Sequence, residues 1–127
     1  MILLDTHTWA WSITVDPRLS ARAKRLMDET ENRLVSAATF HEISSKVRLG
    51  KWPAMERHAA FLSEIAADQK LRVAPISDEI ALFAGLLDWP HRDPFDRLLA
   101  ATTIVTGASL VSADTAFDTL PGLRRVW

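Results

Sequence analysis

The feature that most constrains this chain is an alternation. Short apolar runs are separated by stretches in which apolar residues recur at helical spacing. Ile2 to Leu4, Arg33 to Ser36, Leu71 to Ile76 and Ser109 to Ser112 read as strands, and Arg124 to Trp127 as a last short one. Between them lie several helical patterns. Leu19, Ala23, Leu26, Met27 and Thr30 follow a start at Asp16-Pro17 or Ser20. A helix from about Ala37 to Leu49 is ended by Gly50 in a left-handed conformation. Met55, Ala59, Leu62 and Ala66 mark a third, and Ile80, Phe83, Ala84 and Leu87 a fourth behind a Ser77 cap. The loop Asp88 to Arg92 then leads to a helix from about Pro94 to Thr106, stopped by Gly107. Strands alternating with helices predict an α/β fold with a central parallel sheet covered on both faces. Ligands of such sheets sit at the carboxyl ends of the strands.

The 127 residues have the usual size of one domain, spanning 1–127, and can bury roughly two-thirds of their surface without a disulfide or structural metal. There is no cysteine, which excludes a disulfide scaffold, a thiolate zinc site and a cysteine nucleophile, and fits a reducing compartment. A net charge of -1 argues against a protein that lives on non-specific nucleic-acid contact, which would be basic. It leaves room for a nuclease, whose metal-holding acids subtract from the count. The stretch MILLDTHTWAW has no basic leader and is interrupted by Asp5, so it does not read as a signal peptide. The apolar run Ile80 to Leu87 falls far short of the ~20 residues of a membrane span, and a soluble, cytoplasmic protein is expected.

Four acids sit where elements start or stop. Asp5 follows the first strand, Asp114 follows the strand ending at Ser112, Asp96 lies in the first turn of the Pro94 helix, and Glu42 lies early in the Ala37 helix. In a doubly wound fold such ends converge on one side of the sheet. Carboxylates gathered there repel one another unless a cation neutralises them, and hard oxygen ligands suit Mg2+ or Mn2+. Each acid also has a local reading. Asp5 or Thr6 can cap the DTHT turn. Thr39-Phe40-His41-Glu42 matches a capping box with Glu42 at its fourth position. Asp93 before Pro94 is a good cap, which puts Asp96 at N3, and Asp114 can start the turn before Phe117.

Other chemistries find less support. His7, His41, His58 and His91 show no close metal-ligand spacing, there is no G-x-S-x-G elbow, and the four glycines form no phosphate loop. The five tryptophans are expected in the core or at interfaces rather than as base-stacking platforms. Arg18, Arg22, Lys24 and Arg25 crowd one helix as a solvated face. Lys46, Arg48 and Lys51 follow Glu42, and Arg92 and Arg97 flank the aspartates of HRDPFDR. Lys46 has the spacing to pair with Glu42. Of these, Lys46, Arg48, Arg92 and Arg97 ring the acids as candidates for contact with a phosphate backbone.

These segments together resemble the PIN-domain ribonucleases, and within them the VapC-type toxins of type II toxin–antitoxin (VapBC) pairs. LLDTH at Leu3 to His7 is similar to the family's opening strand and first acid, and DPRLS at Asp16 to Ser20 to its approach to the second helix. VSAATFHEISSKVRLGK from Val35 to Lys51 resembles its S-A-x-x-x-x-E-I-x-x-K-x-x-L-G-K segment. HRDPFDRLLAA is a near-verbatim family stretch, and LVSAD from Leu110 to Asp114 resembles its L-V-T-x-D ending. The resemblance spans nearly the whole chain. Position 41 is His where the subfamily usually has Trp, and Ser112 stands for a commoner Thr.

The resemblance implies a PIN-like three-layer α/β/α fold with a central parallel sheet of four to five short strands flanked by helices. It implies a metal-dependent endoribonuclease with an acidic site of Asp5, Glu42, Asp96 and Asp114, of which Asp5, Asp96 and Asp114 hold Mg2+ or Mn2+. Ser112, Asp93 and Thr6 would support them. It further implies an RNA substrate, a VapB-type antitoxin that blocks the groove, and a homodimer that forms a hetero-oligomer with that antitoxin. Two other readings remain. One is a housekeeping PIN-domain RNA-processing nuclease, against which the short chain counts. The other is a Mg-binding receiver-like signalling module, which needs a central strand ending in Asp and a late one leading to Lys. Here those strands lead to Ala74-Pro75-Ile76-Ser77 and to Asp114.

Overall fold

Five short strands, β1 (Ile2–Leu4), β2 (Arg33–Ser36), β3 (Arg72–Ala74), β4 (Ser109–Val111) and β5 (Arg125–Val126), form one sheet in the computed structural model, which describes residues 1–127. Their order is β3-β2-β1-β4-β5 and every pairing is parallel. The chain winds outward from β1 to β3, returns to the other side of β1 and continues to β5. The carboxyl ends of β1 and β4 therefore flank the point where the winding reverses, the place where open α/β sheets bind ligands. Receiver domains use the order 2-1-3-4-5, so this topology removes the receiver-like reading.

Strand residues alternate between two cores, as the period of two requires. Ile2, Leu4, Val35 and Val111 face one side, where they meet Trp9 and Ala10 of α1 (Thr6–Thr14), Ala23 and Met27 of α2 (Ala21–Glu29), Ile43 of α3 (Ala37–Arg48), and Leu62 and Ala66 of α4 (Leu62–Asp68). Leu3, Leu34 and Leu110 are paired across three strands and face the other side. They pack there on Trp89, Phe117, and Leu99 and Ala100 of α6 (Pro94–Thr106). A smaller cluster of Ile80, Ala84 and Ala101 joins α6 to α5 (Asp78–Leu86). The result is the expected three-layer α/β/α arrangement.

Local signals set several boundaries as read. The Ser77 side chain accepts from the Ile80 N–H, and Asp93 accepts from the N–H groups of Phe95 and Asp96 with Pro94 at the first helical position. Gly107 ends α6 at φ 71°.

Other elements differ from the sequence reading. Helix α1 was not anticipated, because its apolar residues alternate with threonines of modest helix propensity. Its support is tertiary: Asp5 caps it through the Thr8 N–H, and the Thr8 hydroxyl donates to the Val111 carbonyl at the end of β4. The capping box over Thr39–Glu42 is absent. Ser36 caps α3 by accepting from the Ala38 N–H, so Glu42 lies in the second turn. The pattern from Met55 to Ala66 is not one helix. His58 N donates to Met55 O and Phe61 N to His58 O in tight turns, and α-geometry begins at Leu62. Ala59, Ala60 and Phe61 are not buried, so little packing enforces a continuous helix there. The third strand is shorter than Leu71 to Ile76, since Pro75 has no N–H for a ladder.

Helix α1 ends on Val15 at φ 53° and ψ 46°, a left-handed conformation that crowds a β-branched side chain. That side chain is 87% exposed, so it gains little from burial. Val15→Gly is expected to raise the unfolding free energy by about 0.5–1 kcal/mol, read from urea denaturation, because relief of strain outweighs the added chain entropy.

Candidate active site

Asp5 sits at the first position beyond β1, where the strand hands over to α1. Its backbone N–H donates to the Val111 carbonyl, continuing the β1–β4 pairing by one residue. Its side chain is buried between the two elements. Oδ1 accepts from the Thr8 N–H at 2.6 Å and Oδ2 accepts from the Ser112 hydroxyl. Burial raises the Asp5 pKa above the ordinary aspartate value, and the hydrogen bonds from Ser112 and Thr8 only partly oppose this.

Asp96 projects from the first turn of α6, half-buried. Its pKa is also raised, first by desolvation and further by the negative charges of Asp93 and Glu42, against a lowering contact from His91. Glu42 is buried on α3. Its Oε2 accepts from Lys46 Nζ at 2.7 Å, while Oε1 is buried without any hydrogen-bond partner. Asp114 is exposed just after β4. It accepts from the Ala116 N–H, and its own N–H donates to the Ser112 hydroxyl. The Ser112 hydroxyl thus bridges the Asp5 carboxylate and the Asp114 backbone N–H.

These four acids line one cavity of about 140 Å³, together with Thr6, His7, Lys46 and Asp93. Thr6 reaches α3 through a 3.1 Å contact between its hydroxyl and that of Thr39. No three Asp, Glu or His side chains form a finished metal cage. Hydrogen bonds engage one oxygen each of Asp96, Asp114 and Glu42, and both of Asp5, with protein donors. The donor set is nonetheless that of a hard divalent cation. Glu42 Oε1 lacks a partner, and two desolvated carboxylates lack a full counter-charge. A cation would supply both needs.

The cationic candidates separate. Lys46 lines the cavity while paired to Glu42, and Arg48 and Arg92 are exposed. Arg97 is a correction. Its guanidinium donates to the carbonyls of Ala84 at 2.9 Å, Leu87 at 2.6 Å, Trp89 at 2.7 Å and His91 at 2.9 Å. The end of α5 and the following loop make few backbone hydrogen bonds (Leu87 O accepts from the Trp89 N–H), and a five-donor fork satisfies several carbonyls at once. With a longer fifth contact to the Gly85 carbonyl at 3.5 Å, it is a staple for the loop and its donors are taken up by the protein.

That loop carries a residue the motif reading passed over. His91 Nε2 lies 2.6 Å from Asp96 Oδ2, and its ring stacks on Trp89 with centroids 4.5 Å apart. Its signal was weak, because His91 and Asp96 meet across the loop-to-helix corner rather than at a metal-ligand interval on one helix. His7 is the second, exposed at the rim of the cavity. His41 lies outside the cavity on the exposed side of α3, its ring 5.7 Å from that of Phe95.

No curated protein matches the sequence. The PIN domain family model matches residues 2–123. The chain belongs to the PIN domain family. Among solved structures, this PIN domain is similar to VapBC2 from Rickettsia felis bound to promoter DNA, at 20% identity and a TM-score of 0.73, covering 99% of this chain and 98% of that one. It is similar to DNA-bound VapBC from Salmonella typhimurium at 21% identity and a TM-score of 0.73, over 98% and 96% of the two chains. It is also similar to VapC20 of Mycobacterium tuberculosis, described as a toxin that cleaves the sarcin–ricin loop. That match has 18% identity and a TM-score of 0.63, over 98% and 99% of the chains. At these identities the likeness is one of fold.

Two outcomes are expected. The raised Asp5 pKa means that its contribution to stability is fully present below the unfolded value and is lost as pH rises through the folded one. Asp5→Asn should therefore be more stable than the parent at neutral pH without divalent metal, and the difference should shrink as pH falls through the acid range in thermal melts. Arg97→Ala should cost about 2–4 kcal/mol in chemical denaturation, and Arg97→Lys should recover little, since an ammonium cannot span the loop carbonyls.

Proposed function

We propose that this chain is a metal-dependent endoribonuclease acting as the toxin of a toxin–antitoxin pair. The observation that carries the reading is the gathering of Asp5, Glu42, Asp96 and Asp114 around one cavity at the carboxyl edge of a parallel sheet. Asp5, Asp96 and Asp114 are the residues to hold Mg2+ or Mn2+, with Glu42 completing the set directly or through water. A divalent ion held by these residues would supply water activation and neutralisation of phosphate charge. The chain's own groups prepare the site. Ser112 and the Thr8 N–H fix the Asp5 carboxylate, His91 holds one oxygen of Asp96 and leaves Oδ1 unengaged, and Asp93 with Pro94 sets where α6 begins. Lys46, which lines the cavity, and the exposed Arg48 and Arg92 are the cations proposed to attract the RNA backbone.

The toxin role draws on the motif resemblance and on the fold neighbours, which include VapBC and FitAB structures and a toxin described as cleaving the sarcin–ricin loop. It entails a small VapB-type antitoxin that blocks the cavity and a homodimer that assembles with it. No helix is long and apolar enough to cross a membrane.

Magnesium-dependent cleavage of RNA by the purified protein, lost by about a hundredfold or more in Asp5→Asn and Asp96→Asn, is the expected result. Full cleavage by either variant would sink the assignment. Independently of activity, Mg2+ at about 100 times its Kd should add about 2.7 kcal/mol to the parent's stability, and far less to Asp5→Asn. The toxin role predicts growth arrest on expression of the chain, relieved by a short reading frame adjacent to its gene.

A further inference from the structure

Beside the acidic cavity lies an open groove of about 330 Å³ that shares Asp5, His7 and Asp114 with it and continues along Trp11 and Arg18. His7 stands where the two meet. Its exposed ring lies 5.0 Å from that of Trp52 at 33° and 5.8 Å from that of Trp11 at 53°. The two tryptophans are half-buried, and each already carries a cation: Arg18 lies 5.0 Å over the Trp11 ring and Lys46 Nζ 5.5 Å over the Trp52 ring. Asp16 holds Arg18 in place through Nε and Nη2, leaving Nη1 unengaged. The sequence reading placed the tryptophans in the core or at interfaces. Trp9 and Trp89 are buried, but Trp11 and Trp52 brace a rim.

An exposed aromatic ring beside cations and a phosphate-cutting site is the combination that binds single-stranded nucleic acid, with bases stacking on rings and phosphates meeting the charges. A duplex keeps its bases stacked inside and cannot offer one to such a ring. Resting on the nuclease reading above, we propose that His7, braced by Trp11 and Trp52, stacks on an unpaired base next to the scissile phosphate, with Arg18 meeting the backbone along the groove. His7 is then a binding determinant for the base beside the cut rather than a catalytic group.

The test measures binding in an Asp96→Asn background, where cleavage is blocked, by quenching of tryptophan fluorescence. The probes are an unstructured RNA of about ten nucleotides and its duplex with the complement. The single strand should bind more tightly. His7→Ala should raise its Kd roughly 5- to 100-fold, His7→Phe should restore it, and duplex binding should not change. His7 is exposed, so unchanged melting temperatures verify folding. Equal single-strand affinity for His7→Ala and its parent overturns the proposal, as does an equal loss on both probes, which marks a charge effect. If His7→Ala instead weakens only the antitoxin complex, the rings form a protein-docking surface and the proposal fails. Absence of any magnesium-dependent RNA cleavage by the parent defeats the nuclease reading itself. Cleavage by the parent with no effect of His7→Ala on binding or on kcat/KM defeats this proposal alone.

Discussion

A carboxylate buried at the end of a parallel strand is costly, and much of this molecule is arranged around that cost. Asp5 lies where β1 stops, out of water, with a pKa raised by desolvation. No Lys or Arg side chain pairs with it. The protein gives it hydrogen bonds from the Thr8 N–H and the Ser112 hydroxyl. Those two contacts tie the start of α1 and the end of β4 to the same side chain. The Asp5 N–H to Val111 and the Thr8 hydroxyl to Val111 close the joint. The residue that is hardest to bury is therefore also the one that locks the two central strands and the first helix together.

The second half of the site is built by a different device. Asp93 and Pro94 decide where α6 begins, and this sets Asp96 one turn in, facing the cavity. The preceding loop has few backbone partners of its own. Arg97, the next residue on the helix, gathers its carbonyls. The loop so held brings His91 back against Asp96, with Trp89 as the surface on which its ring lies. A cap, a staple and an aromatic stack thus aim one carboxylate. Repulsion among Asp96, Asp93 and Glu42, which helps raise the Asp96 pKa, is the strain that this scaffold holds in place.

Much of the scaffold was legible because it depends on neighbours in sequence. The apolar runs that became β1, β2 and β4, the caps at Ser77 and Asp93 and the stop at Gly107 all act within a few residues. The positions of Asp5, Asp96 and Asp114 at element ends were legible for the same reason. Helix α1 was not, since its threonine-rich pattern is helical only once Asp5 caps it and Thr8 and Trp9 find β4 and the core. Nor was the role of Arg97, which beside two aspartates reads as a free cation and becomes a staple only when the loop carbonyls fold around it. Glu42 likewise reads as part of a cap, while Ser36 holds that post and leaves Glu42 to turn inward.

What the sequence by itself determined is the strands, most of the helices, their order and the acids Asp5, Asp96 and Asp114 near their ends, because strand alternation, helix periodicity and capping are short-range physics. Only the tertiary structure decided the winding β3-β2-β1-β4-β5, which brings residues as far apart as Asp5 and Ser112 into contact and assigns each shared donor to a partner. It also decided how the rings divide: His7 exposed at the cavity rim against half-buried Trp11 and Trp52, with Trp9 and Trp89 inside. These are outcomes of long-range packing and desolvation, and they depend on which surfaces meet when the sheet closes rather than on any local pattern of residues.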